Sequence, residues 1–281
     1  MLKKKRTMRI GVFDSGLGGL HILRSIVRTL PHYDYVYLGD TARAPYGDRP
    51  QETIYAYTKQ AVDFLFNRDC GIIIIACNTS SSEALRKIQD EYAPHRRTRR
   101  GVREKKVLGV LIPAAEKATL KTKNRRVGII ATASTVASNK FVRELEKLDS
   151  NIKIFQQACP LLVPLVEAGE QNSPEMQTIL KRYLRPLLRK NIDTLILGCT
   201  HYGILEKKIR AVIGPDIALV SESRVIPKKL KTYLTKHNEI EKTLSTRSTT
   251  RFYTTDRTDT FKTLGSKLFG RPIRVEKAKL Q

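Results

Sequence analysis

The sequence predicts an α/β fold of two similar domains, each built on a parallel sheet, related by pseudo-twofold symmetry with the active site in the cleft between them. Short apolar runs bounded by turn residues alternate with segments of helical period, the order that parallel strands and crossover helices produce. The chain has 281 residues, about twice the common domain size of ~100–150 residues. An internal repeat predicts that its two halves are alike. We expect residues 1–113 and 114–225 to form the domains, with 226–281 packing back onto the first.

Eight apolar runs of four to six residues are predicted as strands, because turn residues bound them. In the first half they are Arg9–Phe13, Tyr35–Leu38, Gly71–Ala76 and Val107–Leu111. In the second half they are Arg126–Ala131, Lys153–Gln156, Asp193–Leu197 and Ile217–Val220.

Helix signals follow the strands of the first half. Behind the first strand, leucine and valine recur at three- and four-residue steps until Pro31, which ends the predicted helix. Ser80 and Glu83 have the spacing of a capping box. This spacing predicts a helix that starts directly behind Cys77.

The second half has helix signals of its own. Ser173 followed by Pro174 predicts the start of a helix, which Pro186 is expected to kink. Gly214, which is followed by proline, is expected to close the helix that begins after Cys199. Each half therefore places a helix start close behind a cysteine.

The two halves share two sequence patterns. IGVFDSG at 10–16 is similar to VGIIATAST at 127–135, and IIIIACNT at 72–79 is similar to TLILGCTH at 194–201. Each half thus ends its third predicted strand in cysteine followed by polar residues. Since ligands of open parallel sheets lie beyond the carboxyl ends of the strands, both cysteines are predicted at a ligand site.

The chain is strongly basic, with 52 Lys and Arg against 27 Asp and Glu and a formal net charge of +25. Such a field attracts anions from small carboxylates to nucleic acid, with a reach that falls as salt rises. The basic segment His95–Lys106 is interpreted as a solvated loop, with a partner surface as the alternative. Aromatic residues make up 7% of the chain and no familiar nucleic-acid module is visible. Nucleic acid is therefore kept only as a secondary partner.

The sequence argues against a membrane protein, a secreted protein and a metal-binding protein. No apolar run reaches the roughly 18 residues of a membrane span, and no apolar secretory stretch follows the basic N-terminus, so a cytoplasmic location is expected. The four cysteines, Cys70, Cys77, Cys159 and Cys199, lack the short paired spacings of zinc sites. Reduced thiols and no metal are predicted.

The cysteines fall into two pairs by their surroundings. Cys70, in an apolar strand, and Cys159, before an apolar stretch, are interpreted as structural residues. Cys77 and Cys199 are each followed at once by hydroxyl, amide or imidazole side chains. This pattern favours a functional role for Cys77 and Cys199 over a structural one.

Two thiols that approach one cleft from opposite sides suit the inversion of an amino acid's α-carbon. A base on one face removes the α-proton, and an acid on the other face returns one. A thiol has a pKa of about 8.5, so a thiolate and a thiol can exchange these roles near neutral pH. The helix N-termini behind the cysteines are expected to lower the pKa of the thiol that ionises.

Other short motifs give weaker signals. The glycines of 16–19 follow a strand but lack the last glycine of a dinucleotide fingerprint, since His21 stands there. They are interpreted as a tight turn that lets backbone N–H groups approach a carboxylate, with a purely structural turn as the alternative. His201 has no second ligand at metal spacing nearby, so an acid–base partner for Cys199 is its preferred role.

Longer segments of the chain resemble the glutamate racemases of the aspartate/glutamate racemase superfamily. They are IGVFDSGLGGL at 10–20, YLGDTARAPYG at 37–47, ACNT at 76–79, ACPLLVPLVEAGE at 158–170, TLILGCTHYG at 194–203 and FYTTDRTDTFKTLGSKLFG at 252–270. They are spread over nearly the whole chain in the family's order, so together they are highly specific.

The resemblance implies an enzyme that converts L-glutamate to D-glutamate for the bacterial cell wall, without pyridoxal phosphate or metal. It makes Cys77 and Cys199 the catalytic pair, with Asp14 tuning the first and His201 the second, and it places Glu167 near the second cysteine. Residues that match the family's substrate-contacting or site-lining positions are Asp14, Ser15, Tyr46, Gly47, Asn78, Thr79, Thr132, Thr200 and His201.

Some alternatives stay open at this level. Asp14 has a helix cap as its alternative role. Aspartate is the alternative substrate, because pocket depth is not visible in a sequence. The segment Ser221–Ser223 departs from the Asp-Ser pair that is usual in the family. Oligomeric state is also open, with a homodimer as the commonest soluble assembly.

Overall fold

The computed structural model describes residues 7–92, 105–256 and 259–280. Its strands form two parallel sheets, one of six strands and one of four. The six-stranded sheet contains β1 (Arg9–Asp14), β2 (Tyr35–Gly39), β3 (Cys70–Ile75), β4 (Lys106–Gly109), β9 (Thr250–Thr254) and β10 (Val275–Lys277). The four-stranded sheet contains β5 (Arg126–Ala131), β6 (Lys153–Ala158), β7 (Thr194–Gly198) and β8 (Ala218–Val220).

Both sheets contain the same strand order. It is β2-β1-β3-β4 in the first sheet and β6-β5-β7-β8 in the second, and neighbouring strands pair in parallel throughout. The internal repeat of the sequence thus corresponds to one topology built twice, and the predicted pair of parallel-sheet α/β domains is confirmed. A cysteine follows the end of the third strand of each unit, Cys77 after β3 and Cys199 after β7.

Helices connect the strands as crossovers. Those before the second sheet are α1 (Gly19–Thr29), α2 (Gln51–Phe66), α3 (Asn78–Glu83), α4 (Leu85–Tyr92) and α5 (Leu111–Thr119). Those within the second unit are α6 (Ala133–Ala137), α7 (Lys140–Leu148), α8 (Leu162–Glu167), α9 (Pro174–Leu188) and α10 (Glu206–Ile213). The remaining helices are α11 (Glu222–Lys236), α12 (Asn238–Glu241) and α13 (Asp259–Phe269), and short 3₁₀ turns occupy Thr41–Arg43 and Thr200–Gly203.

Helix ends in the second half have the predicted chemistry. The Ser173 hydroxyl accepts the Met176 N–H at 3.2 Å and caps α9. The helix continues through Pro186. Gly214 closes α10 in a left-handed conformation with φ of 77°, which glycine adopts without the steric cost of a side chain.

The strand predictions missed two strands, and their largest boundary errors are at the ends of β4 and β6, where β6 continues to Ala158. β4 ends at Gly109, because Leu111 already begins α5. Neither β9 nor β10 was predicted. In β9 an exposed arginine interrupts the apolar pattern, and β10 is a three-residue strand, mostly exposed, at the edge of the sheet. Neither segment has the continuous apolar run that marks a central parallel strand.

Apolar side chains cover both faces of each sheet. In β3, Ile72 and Ile74 belong to the cluster on one face, whereas Ile73 and Ile75 belong to the cluster on the other. This alternation follows from the two-residue period of a strand. Because both faces are buried, the strand consists of apolar residues throughout.

Helix α11 carries the chain from the second sheet back to the first. It begins at Glu222, directly after β8, and packs against α1 and α5. Its buried residues Ile226 and Leu230 join the apolar cluster that contains Leu23 of α1. The start of α11 therefore lies at a crossing point between the two sheets.

No helix in the described ranges has both the length and the apolar character to cross a membrane. The solvated loop predicted at His95–Lys106 lies, up to residue 104, outside the described residues.

Candidate active site

One cleft between the two sheets is lined by every predicted site residue except Asp14. The first unit contributes Ser15, Tyr46, Gly47, Cys77, Asn78 and Thr79. The second unit contributes Thr132, Glu167, Cys199, Thr200 and His201. Lining residues that were not predicted are Ala44, Pro45, Asp48, Ala133, Pro160, Val163 and Pro164. Most of these are apolar, and an apolar residue at a site has the same pattern in sequence as one in the core.

Cys77 lies two residues beyond β3 and caps the helix that follows. Its Sγ accepts the Ser80 backbone N–H at 3.5 Å, and the Ser15 hydroxyl lies 3.3 Å from the same sulfur. The predicted capping box is therefore wrong, because α3 begins at Asn78 with Cys77 as its N-cap. The sulfur takes the place of the usual hydroxyl oxygen.

The pKa of Cys77 moves in the direction opposite to the one predicted. Burial, followed by the negative charge of Asp14, raises it to about 11, although contacts from Ser15 and Ser80 lower it. Removal of the thiolate from water therefore outweighs the favourable helix N-terminus. Cys77 is a protonated thiol at neutral pH.

Cys199 begins a chain of polar contacts that runs into the second unit. Its Sγ lies 3.7 Å from Nδ1 of His201, and Nε2 of His201 lies 3.1 Å from Oε1 of Glu167. Burial lowers the pKa of His201, but the contacts with Cys199 and Glu167 outweigh burial and raise it well above its ordinary value. The imidazole of His201 thus lies between the sulfur of Cys199 and the carboxylate of Glu167.

Asp14 is buried behind the lining of the cleft. Its Oδ2 accepts the Gly16 N–H at 3.0 Å, and its side chain has no exposed surface. Burial raises the pKa of Asp14, while the charge of His201 lowers it. Gly18 is the N-cap residue of α1 by position, but the Gly19 N–H at the start of α1 also interacts with the Asp14 carboxylate and lowers its pKa, so a capping role and a role at the site can coexist. The position behind Cys77 suits an electrostatic effect on the thiol.

The glycines of 16–19 lie where a loop of the first unit approaches the second. A Cβ on Gly18 would lie 2.8 Å from the backbone nitrogen of His201, and one on Gly16 would meet the carboxylate of Glu167. Side chains do not fit at such distances, so the close approach requires glycine. The Gly16 N–H does approach a carboxylate, as expected, but that carboxylate is Asp14 of the same turn.

Hydroxyl and backbone groups join the two sides of the cleft. Oγ1 of Thr79 lies 3.0 Å from Oγ1 of Thr132, and the Ser134 N–H donates to the Gly47 carbonyl at 3.0 Å. Thr132 also caps α6 by accepting the Thr135 N–H at 3.3 Å. These contacts fix the loops of the first unit against the start of α6.

Tyr46 is held in place by a carboxylate behind it. Its hydroxyl donates to Asp40, and the same carboxylate accepts Nε of Arg43 at 2.6 Å. Burial, the charge of Asp40 and this hydrogen bond raise the pKa of Tyr46 far above its ordinary value. Tyr46 therefore lines the cleft as a neutral phenol.

The other two cysteines are buried and do not line the cleft. Burial raises the pKa of Cys70 to about 12 and also raises that of Cys159. Cys70 packs in the first unit close to Gly11, and Sγ of Cys159 donates to the Gln157 carbonyl at 3.5 Å. Within the part of the chain that the structure describes, no group of three or more His, Cys, Asp or Glu side chains could hold a metal.

Comparison with known sequences places this geometry in a family. A family model described as Asp/Glu/Hydantoin racemase matches residues 10–222. The chain is 38% identical over 276 residues to a glutamate racemase of Gloeothece citriformis, covering 96% of this chain and 92% of that protein. It is 37% identical over 271 residues to a glutamate racemase of Streptococcus gordonii, covering 95% and 97%.

Solved structures give the same result. A glutamate racemase of Francisella tularensis in complex with D-glutamate matches with a TM-score of 0.87 and 32% identity, over 98% of this chain and 99% of that one. A glutamate racemase isoform of Bacillus anthracis matches with a TM-score of 0.88 and 32% identity, over 98% of both chains. The chain therefore belongs to the glutamate racemases of the Asp/Glu/Hydantoin racemase family, which are amino acid isomerases.

Proposed function

We propose that the protein interconverts L- and D-glutamate by moving the α-proton between Cys77 and Cys199. The observation that supports this is that both cysteines line one cleft, each following the third strand of its own unit. A substrate between them would present opposite faces of its α-carbon to the two sulfur atoms. Inversion by two acid–base groups needs that arrangement.

The two cysteines have different neighbours before the substrate binds. Cys77, with a pKa raised to about 11, is the thiol that can donate a proton, whereas Cys199 has Nδ1 of His201 at 3.7 Å from its sulfur and is proposed as the base. In one direction, the Cys199 thiolate takes the α-proton and the Cys77 thiol gives its proton to the opposite face of the carbanion. The turnover leaves a thiol on Cys199 and a thiolate on Cys77, which exchange roles in the reverse reaction.

Most of the groups that can hold the substrate's negative charge are neutral donors, and His201 is the cationic group among the described residues that line the cleft. Among the described residues that line the cleft, none is a lysine or arginine. Fixed dipoles in a site that excludes water stabilise developing charge more strongly than water does. The polar groups available for this purpose belong to Ser15, Asn78, Thr79 and Thr200.

Three further residues act through the cysteines in this proposal. The charge of Asp14 raises the pKa of Cys77 and keeps it protonated as the acid. His201 lies beside the sulfur of Cys199 and can exchange a proton with it, and Glu167 orients His201 and stabilises its positive charge.

Glutamate is the proposed substrate because curated relatives that match 96% of this chain are glutamate racemases. The proposal includes a reaction without a cofactor, supply of D-glutamate for peptidoglycan, and a cytoplasmic location. It also divides the chain into residues 1–113 with 226–281 and residues 114–225. The homodimer and the secondary binding of nucleic acid stay predictions.

Circular dichroism of glutamate solutions, with no cofactor added, tests the function. We expect the protein to racemise both enantiomers of glutamate and to act far more slowly on aspartate. Faster turnover of aspartate would change the assigned substrate. Loss of one acid–base group costs roughly 10²–10⁴-fold in rate, so Cys77→Ala and Cys199→Ala should abolish measurable inversion while keeping the native far-ultraviolet spectrum. Cys70→Ala is the matched control, because Cys70 is buried outside the cleft.

Isotope incorporation tests the mechanism separately. In heavy water, inverted product should carry deuterium at the α-carbon, because the returning proton comes from a thiol that exchanges with solvent. A product that is inverted and retains all of its protium would exclude proton transfer by two cysteines.

A further inference from the structure

Glu222 is a buried carboxyl that lies outside the cleft lining and contacts a residue within it. It is the first residue of α11, at the crossing from the second sheet to the first, and only 3% of its surface is exposed. Its Oε2 accepts Nδ2 of Asn78 at 2.9 Å, and Asn78 directly follows Cys77.

The contact leaves two buried oxygen atoms without partners. Within residues 7–92, 105–256 and 259–280, neither Oε1 of Glu222 nor Oδ1 of Asn78 has a hydrogen-bond partner. A buried acceptor that makes no hydrogen bond is unfavourable. Rotation of the Asn78 carboxamide by 180° exchanges its oxygen and nitrogen, and a protonated Glu222 then donates its O–H to Oδ1. This arrangement satisfies the carboxamide oxygen, leaves Oε1 of Glu222 unpaired as before, and leaves both amide N–H groups to be satisfied by a bound ligand.

The surroundings of Glu222 favour its uncharged form. Burial raises the pKa of Glu222 well above its ordinary value, the Asn78 hydrogen bond lowers it, and the charge of Asp14 raises it again. Asp14 is itself buried, and its Oδ1 has no hydrogen-bond partner in the described part of the chain. A second negative charge close to this carboxylate would be repelled, whereas a neutral carboxyl adds none.

We propose that Glu222 is a positioning residue that donates a hydrogen bond to Oδ1 of Asn78 and so directs the amide N–H groups toward a carboxylate of the substrate. The inference rests on the proposed function, because it gives Asn78 its task in binding glutamate. No lysine or arginine lines the cleft within the described residues. A carboxamide fixed in direction supplies donors to an anion without adding a charge to the buried site.

Two substitutions at Glu222 separate positioning from a structural role. Glutamine has the same shape and can donate an N–H to Asn78, so Glu222→Gln should keep kcat and KM for glutamate within about twofold. Leucine fills similar space without a donor, so Glu222→Leu should raise KM about tenfold with a smaller change in kcat. Thermal unfolding of both variants measures any loss of stability. A loss of stability alone would lower the amount of folded enzyme but would not change KM.

A double-mutant cycle tests whether Glu222 acts through Asn78. In the Asn78→Ala background, Glu222→Leu should change KM by less than about twofold, because the group that Glu222 holds is absent. Where turnover is too slow, calorimetric affinity for D-glutamate replaces KM. Glu116→Leu is the matched control, since Glu116 contacts α11 at Lys229, outside the cleft, and it should leave both constants unchanged.

Three results would overturn the proposal. The first is an equal rise in KM in Glu222→Gln and Glu222→Leu, and the second is an unchanged KM in Glu222→Leu. The third is a change in KM on Glu222→Leu that is as large in the Asn78→Ala background as in the wild type. Racemisation by the wild-type protein is measured first. Its absence would contradict the proposed function itself, whereas any of these three results in an active enzyme would contradict only the role of Glu222.

Discussion

Nε2 of His201 lies 3.1 Å from Oε1 of Glu167, and this contact sets the charge beside Cys199. Against the effect of burial, hydrogen bonds to Cys199 and Glu167 and the negative charges of both groups raise the pKa of His201. The imidazolium therefore persists at pH values where an ordinary histidine is neutral. The charge of the group beside Cys199 depends in this way on a carboxylate beyond the histidine.

Glu167→Gln should lower the pKa of His201 and move the alkaline limb of kcat/KM to lower pH. The imidazolium is lost as pH rises through the pKa of the folded protein, so a lower pKa brings that loss to a lower pH. A shift of one pH unit corresponds to about tenfold in kcat/KM on that limb, and the pH–rate profile measures it. Glu239→Gln is the control, because Glu239 makes a contact of 3.1 Å with His237 on the surface. An unmoved limb would show that Glu167 does not act through His201.

The four cysteines should react with iodoacetamide at different rates. Cys199 should react faster than Cys77 at pH 8, because it lines the cleft and the pKa of Cys77 is raised. Cys77 has a pKa of about 11, so its thiolate fraction at pH 8 is on the order of 10⁻³, and its rate should rise about tenfold per pH unit. Cys70 and Cys159, buried off the cleft, should stay unmodified in native protein.

Peptide mass spectrometry over time measures these rates, and D-glutamate should protect both cleft cysteines. Faster labelling of Cys77 than of Cys199 at pH 8 would contradict the assignment of acid and base.

Asp14→Asn should speed the alkylation of Cys77. The negative charge of Asp14 raises the pKa of this thiol, so its removal lowers the pKa and increases the thiolate fraction. We expect the rate at pH 8 to rise by about three- to tenfold. Asp48→Asn is the comparison, because Asp48 lines the same cleft and is not among the groups that shift Cys77. Equal rates of Cys77 alkylation in the wild type and in Asp14→Asn would contradict the electrostatic role of Asp14.

Gly18→Ala should reduce kcat/KM by about 10²-fold, the scale expected for a misplacement of about 1 Å at an active site. The new Cβ would lie 2.8 Å from the backbone nitrogen of His201, so the two units would have to move apart. Gly214→Ala is the control. Gly214 has φ of 77° and open space around it, so alanine there should cost about 1 kcal/mol of stability without changing the kinetics. Steady-state kinetics and thermal unfolding of both variants separate the two effects.

The sequence predicted the central strands because burial on both faces leaves an uninterrupted apolar pattern, as in Ile72–Ile75. It did not predict β9 and β10, because strands near a sheet edge need no such pattern. The order of the central strands decides which carboxyl ends lie at the cleft. The sequence could therefore predict that Cys77 and Cys199 belong to one site.

Properties that depend on the surroundings in three dimensions could not be predicted. The direction of the Cys77 pKa is set by burial and by Asp14, and neither effect is visible in the helix signal behind the cysteine. The same holds for Glu222, whose contact with Asn78 spans 144 residues of sequence. A glutamate at the start of a helix normally indicates a surface position.

The main chain passes between the two sheets twice, from β4 into α5 and from β8 into α11. Rotation of one unit relative to the other about the line through these two connections stretches neither of them. Any widening that admits an amino acid would then also draw the thiol-bearing walls apart. Release of product and separation of the two thiols would thus be a single movement.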